Sequence, residues 1–310
     1  MMQSTNSILM IRPVNFRMNE QTAVNNYFQK DIDAQNSVLN AKAQEEFDTF
    51  VSVLRKRGVH VIVVEDTKNP DTPDSIFPNN WISFHDDGVV GLYPMFAENR
   101  RKERRNDIMD ILEEDGFIIK SVMDYTAAES EGFFLEATGS MALDRVNKKA
   151  YCALSDRADE VLFIEFCEDF DYAPVIFIAN QSVGGRRMPI YHTNVMMCLA
   201  DTFAVICLDT IDDKKEKKFV VDHLKKDGKE IVTITEAQMH HFAGNMLQVL
   251  GTDNEPLLVM STQAYASLTP LQISSIEQHC GIVHSSLETI ETCGGGSARC
   301  MMAEVFLPKS

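Results

Sequence analysis

Small or polar residues followed at once by apolar runs recur in this chain at Asn80, Ser140, Asn194, Asn245 and Cys300. Each interval is about 50–60 residues, enough for a strand, a hairpin and a helix. Hairpin signals follow each start, as in Trp81-Ile82-Ser83-Phe84, the turn Asp86-Asp87-Gly88, then Val89-Val90-Gly91-Leu92. Helices are predicted over 34–57, 100–115, 156–166, 213–226 and 269–279, and strands over 117–119, 175–178 and 231–234, each of these strands opening a new round. Five similar α/β units suggest a closed ring, because closure removes exposed sheet edges. The run 300–307 would pair with Ile8-Leu9-Met10-Ile11 and join the two termini in one unit. The starts would then converge on a central axis.

Composition narrows what such a ring could serve. Hydrophobic residues make up 45% and charged residues 24%, an ordinary globular mix, and the chain 1–310 reads as a single catalytic domain. A net charge of −17 argues against nucleic acid or an anionic membrane surface as partner, while leaving room for a local arginine cluster that takes a small carboxylate. The seven cysteines form no CxxC and lie mostly in apolar runs, which suggests reduced thiols and a cytoplasmic location. Neither a signal peptide nor a membrane-length apolar run is legible.

Convergence would bring Asn80, Glu136, His192, Asn194 and Cys300 into one pocket. A thiol, an imidazole and a carboxylate are the parts of a nucleophilic site: the sulfur attacks, the histidine moves protons, and the carboxylate orients or holds a substrate nitrogen. Cys300 ends the loop Gly294-Gly295-Gly296-Ser297-Ala298-Arg299, whose glycines let backbone approach a bound molecule closely. Arg299, the loop amides or a histidine are the candidates to favour the thiolate. His240-His241 makes no metal site, since neighbours in a strand point to opposite faces and no Cys/His spacing supports one.

These segments resemble the guanidine-modifying enzymes of the pentein fold, a five-bladed α/β propeller. That superfamily holds arginine deiminases, dimethylarginine dimethylaminohydrolases, amidinotransferases and citrulline-utilisation hydrolases. The resemblance implies Cys300 as nucleophile, His192 as general acid/base and Glu136, in Leu135-Glu136-Ala137-Thr138-Gly139, as acidic partner. Asp74-Ser75-Ile76-Phe77-Pro78-Asn79-Asn80 is similar to a family segment in which Asp74 would hold an α-amino group, Phe77 line the pocket and Asn80 face the reacting group. Arg100, in Arg100-Arg101-Lys102-Glu103, and Arg157, in Leu154-Ser155-Asp156-Arg157, would bind a carboxylate. No cofactor is implied, and a homodimer is left open.

Deiminases usually place acids where this chain has Asn80 and Asn194. A guanidinium is cationic and donor-only, whereas a ureido group carries a carbonyl acceptor as well as N–H donors. Asparagine suits the second, so citrulline is the leading expectation for the substrate. Arginine or methylarginine hydrolysis and amidino transfer are the alternatives among enzymes. A silent propeller used for binding, like the ribosome anti-association factor of similar fold, is the alternative outside them, and it would lack a reactive thiol.

Overall fold

The computed structural model describes residues 2–309, and among them five three-stranded sheets carry the repeat. In each sheet an antiparallel pair, a hairpin in four of the five, is extended by a third strand that runs parallel to its neighbour and is reached through a helix. In the second unit, Ile82–Phe84 pairs with Val89–Leu92, helix Asp107–Glu114 crosses over, and Ser121–Asp124 returns parallel. Met141–Asp144, Lys149–Ala153 and Ala173–Phe177 form the third sheet, and Met197–Leu199, Phe203–Ile206 and Glu230–Thr233 the fourth. Leu247–Leu250, Pro256–Ser261 and Gly281–Ser285 form the fifth. The remaining sheet joins the ends of the chain: Ala303–Glu304 lies antiparallel to Ser7–Arg12, which runs parallel to His60–Glu65 after helix Asn36–Lys56. This is the five-bladed α/β propeller expected.

Local chemistry explains the helix ends. Asp159 and Asp213 cap their helices by accepting two backbone N–H groups each, and Thr269 forms a capping box with Gln272. Helix Asn36–Lys56 turns Leu39, Ala43, Phe47, Phe50, Val51 and Leu54 inward, a spacing that lays one apolar stripe on its sheet.

The phase of the repeat differs from the one expected. The strand Ala173–Phe177 closes the sheet before it, because a helical crossover returns the chain parallel to the strand it left. The predicted strand 117–119 lies ahead of the actual strand; Phe117 is buried and bridges to Lys309 instead. The predicted helix 100–115 is broken into a 3₁₀ turn, Arg100–Glu103, and Asp107–Glu114. The break follows from burying Arg100 and Glu103 in the interior while Arg104 turns extended to pair with Glu129. A further hairpin, Asn180–Val183 with Arg186–Pro189, stands outside the five blades. Its turn uses Gly184 and Gly185, both at positive φ.

Candidate active site

Short turns rather than strands meet at the centre. Pro78–Asn80, Ala137–Ser140 and Thr193–Met196 each precede the first strand of a blade. Thr193 ties two of them together, donating from Oγ1 to Ser140 O at 2.5 Å and accepting Ala153 N at 2.8 Å. Gly139 lets the turns close: a Cβ there would lie 2.4 Å from Asn80 Nδ2 and 2.9 Å from His192 Cε1.

Asp74, Phe77, Asn80, Arg100, Arg157, His192 and Cys300 line one cavity, together with Thr22, Asn26, Tyr191, Gly294 and Gly296. Glu136 lies against it through His192, and Asn194 through Cys300, so all nine residues singled out from the sequence come together. The free volume is about 10 Å³, no more than one water needs.

Glu136 Oε2 is 2.7 Å from His192 Nε2 and 3.6 Å from Arg157 Nη1, and Oε1 accepts Phe96 N at 3.0 Å. Burial pushes the Glu136 pKa up, but Arg157, the His192 bond and Arg100 outweigh it and hold the group at about 2. Burial lowers His192 to about 4 against the pull of Glu136. At neutral pH the carboxylate is therefore ionised and the imidazole neutral. Nε2 must carry the proton it gives Glu136, which leaves Nδ1 as an acceptor. Ala137, next to Glu136, sits at φ 38°, a conformation unfavourable for any residue with a Cβ.

Cys300 Sγ faces two carboxamides, Asn245 Nδ2 at 3.2 Å and Asn194 Nδ2 at 3.5 Å. Asn245 was legible only as a repeat start; that matching position was the signal for its place in the site. Asn80 Oδ1 accepts Arg100 Nη1 at 2.7 Å, and its Nδ2 donates to Asn79 Oδ1 at 3.0 Å. Arg100 is held by the protein itself: Glu103 takes Nε and Nη2, both at 2.9 Å, and Phe77 O accepts Nη2 at 3.2 Å. Asp74 Oδ2 accepts Asn19 Nδ2 at 2.8 Å and Thr22 Oγ1 at 3.0 Å, while its buried Oδ1 has no partner. Burial pushes the Asp74 pKa up, against Arg100 and these two donors.

Residues 19–30 form a flap over the cavity, which nothing in the sequence had marked. Arg157 stacks on the Tyr191 ring and gives its N–H groups to Asn25 Oδ1 and Thr22 O. Asn26 and Gln29 donate to the carbonyls of Gly294 and Gly295. Arg299, one of the three candidates to favour the thiolate, turns away to Met302 O and Glu304. All seven cysteines are unpaired and buried. Among the described residues no three His, Cys, Asp or Glu side chains are grouped to hold a metal, and no helix is long and apolar enough to cross a membrane.

A family model described as N,N dimethylarginine dimethylhydrolase, eukaryotic, matches residues 12–307. No curated protein matches the sequence. Solved structures resemble it in fold. Apo ArgZ, an arginine dihydrolase from the ornithine–ammonia cycle in cyanobacteria, superimposes with a TM-score of 0.74 at 16% identity, over 98% of this chain and 41% of that one. This chain thus spans about two-fifths of that longer protein. The N-terminal domain of ArgZ alone, a cysteine-to-serine variant bound to substrate, gives 0.69 at 16% identity over 97% and 99% of the two chains. A dimethylarginine dimethylaminohydrolase adduct with S-methyl-L-thiocitrulline gives 0.64 at 14% identity over 96% and 98%.

Proposed function

This chain belongs to the N,N-dimethylarginine dimethylhydrolase family, and within it we propose a cysteine hydrolase that acts on the ureido group of citrulline. The observation that carries the choice is the polarity left over around the sulfur. The Asn80 acceptor is taken by Arg100, and the Nδ2 groups of Asn194 and Asn245 point at Cys300. The three side chains set around the sulfur at Asn80, Asn194 and Asn245 are thus neutral carboxamides rather than carboxylates. A cationic, donor-only guanidinium finds no ionised acceptor at these three positions, whereas a neutral ureido group, with both a carbonyl and N–H groups, matches an amide that both donates and accepts.

In this reading the Cys300 thiolate attacks the ureido carbon, and the carbonyl π pair moves onto oxygen. His192 enters the step carrying a proton at Nδ1, taken from solution in the first turnover and from the hydrolytic water in each later one; it delivers this proton to the nitrogen of the ornithine amine as the oxygen pair re-forms the carbonyl and that C–N bond breaks. An S-carbamoyl enzyme remains. Neutral His192 then takes a proton from water, hydroxide adds to the carbamoyl carbon, and the thiolate leaves; carbamate decomposes to ammonia and carbon dioxide. Glu136 holds the imidazole through Nε2. Asp74 would take the substrate ammonium on its unpartnered oxygen. Arg157 would exchange its flap partners for the carboxylate, and Arg100 would chiefly orient Asn80. Phe77 packs under the glycines of the Cys300 loop.

A second reading, arginine carried through to ornithine, is favoured by likeness to the domain of an arginine dihydrolase along nearly the whole chain. Ornithine, citrulline and ammonia measured after incubation with citrulline, arginine or dimethylarginine distinguish the cases. The expected result is ornithine and ammonia from citrulline. Ornithine from both citrulline and arginine would favour the second reading. Citrulline released from arginine or dimethylarginine, with citrulline itself untouched, would overturn the ureido assignment.

A further inference from the structure

We propose that Asn245 is a catalytic residue, the group that holds the Cys300 sulfur as a thiolate and aims it. The proposal rests on the reading of Cys300 as nucleophile and adds to it the means by which the sulfur is kept charged.

Asn245 is wholly buried and stands just ahead of the first strand of the fifth blade, as Cys300 stands just ahead of Ala303–Glu304 in the blade that joins the chain ends. Its amide orientation does not depend on the sulfur. Oδ1 accepts the backbone N–H of Arg299 at 3.0 Å, so Nδ2 lies on the other side. There one hydrogen goes to Asn194 O at 3.1 Å and the other to Cys300 Sγ at 3.2 Å. Such a donor gains far more from a thiolate than from a thiol, because a hydrogen bond to an ion is roughly twice as strong as one between neutral groups.

Among the described residues no charged side chain is hydrogen-bonded to the sulfur. Nε2 of His192 is committed to Glu136, and burial keeps the ring neutral at pH 7. The Arg299 guanidinium is engaged with Glu304 and Met302 O. Asn194 stands farther off, with Nδ2 at 3.5 Å and Oδ1 at 3.8 Å from the sulfur, so its two ends partly oppose each other. Asn245 presents only its donor. Its bond to Arg299 N also ties it to the residue before the nucleophile, so donor and sulfur keep their register if the loop shifts.

The test uses the full chain and a substrate-independent readout: iodoacetamide alkylation of Cys300 at neutral pH, followed by peptide mass spectrometry. Asn245→Ala should slow alkylation about tenfold or more, the loss of a hydrogen bond to an ion. Asn245→Asp keeps the shape and the acceptor for Arg299 N but turns an oxygen toward the sulfur, so it should be slower still. Thermal midpoints show whether each variant is folded. A folded Asn245→Asp that alkylates at the parent rate overturns the proposal. Should both variants fail to fold, the parent alone decides: it should show thiolate ultraviolet absorbance at neutral pH that Cys300→Ser lacks, and equal spectra overturn the proposal. Failure of the functional reading looks different. A chain that turns over no ureido or guanidino amino acid yet keeps the alkylation difference would lose the proposed substrate and retain the role of Asn245.

Discussion

Glu136 and His192 share one proton-bearing contact, and the pair links folding to pH in a definite direction. His192 is lowered to about 4 from 6.5, so the unfolded chain takes up that proton first as the pH falls. Stability should therefore decline from about pH 6.5 down to about pH 4. Glu136 is held at about 2, below its ordinary 4.5. Its contribution is complete above about pH 4.5 and is lost as the pH falls toward 2. Urea midpoints followed downward from neutral pH should fall through both windows, and His192→Asn should flatten the upper one. An unchanged slope in that variant would assign the upper window to other groups. Gly139 serves the same pair sterically. Gly139→Ala would press on Asn80 and His192, with an expected cost of about 1–3 kcal/mol from overpacking. Because the displaced atoms belong to the site, kcat should fall by more than the change in thermal midpoint accounts for, and steady-state kinetics beside thermal melts would show it.

At the scale of elements, the Cys300 loop and the flap hold each other. Gly295 has φ 63°, and a Cβ there would lie 2.6 Å from both Asn26 Nδ2 and Gln29 Cγ. Gly295→Ala combines left-handed strain of about 1–2 kcal/mol with a clash that pushes the flap away. Hydrogen exchange over residues 19–30 should become faster, and so should Cys300 alkylation; unchanged exchange would mean that the flap is held from elsewhere. The two partners were unequally legible in the sequence. The loop was the more legible, because three consecutive glycines before Arg299-Cys300 mark backbone able to approach a ligand, although the same residues also fit a loose loop ahead of an edge strand. The flap is an Asn- and Gln-rich stretch whose side chains bond to carbonyls and to Arg157, and polar residues so arranged look like any solvated loop until their partners are known. The period of the blades was visible because every first strand needs a small or polar residue at the crowded axis and apolar residues right after it. The phase was not, since a third strand reached through a helix carries the same β-branched signal whichever sheet it joins. Asn245 falls between these cases: its position was plain, but its chemistry needed the bond to Arg299 that turns its amide toward sulfur.

For the whole molecule, the ring depends on its ends. The strand Ser7–Arg12 lies between Ala303–Glu304 and His60–Glu65, so the first and last parts of the chain complete one blade. Just before that strand, the N-terminal segment bonds to three other blades. Gln3 Nε2 donates to Leu143 O at 2.8 Å and to Leu199 O at 3.4 Å, and Gln3 Oε1 accepts Arg145 N at 2.8 Å. Ser4 Oγ donates to Gln248 Oε1 at 3.1 Å, and that oxygen also accepts Asp201 N at 2.8 Å. One short segment thus links the third, fourth and fifth blades, whose sheets share no backbone ladder. Gln3 is almost fully buried, and Gln3→Ala would leave Leu143 O and Arg145 N without these partners. The expected cost is about 1–3 kcal/mol, from unsatisfied buried groups rather than from lost apolar contact. Because Gln3 is absent from the residues lining the catalytic cavity, kcat and KM at a temperature well below the melt should stay at parent values while the thermal midpoint drops. Gln3→Glu is the sharper probe: it keeps the oxygen for Arg145 N and replaces the donor with a second oxygen facing carbonyls, so it should destabilise at least as much as alanine at neutral pH. A midpoint equal to the parent in both variants would show that the blades are held by their packed faces alone, and that the end of the chain merely lies across them.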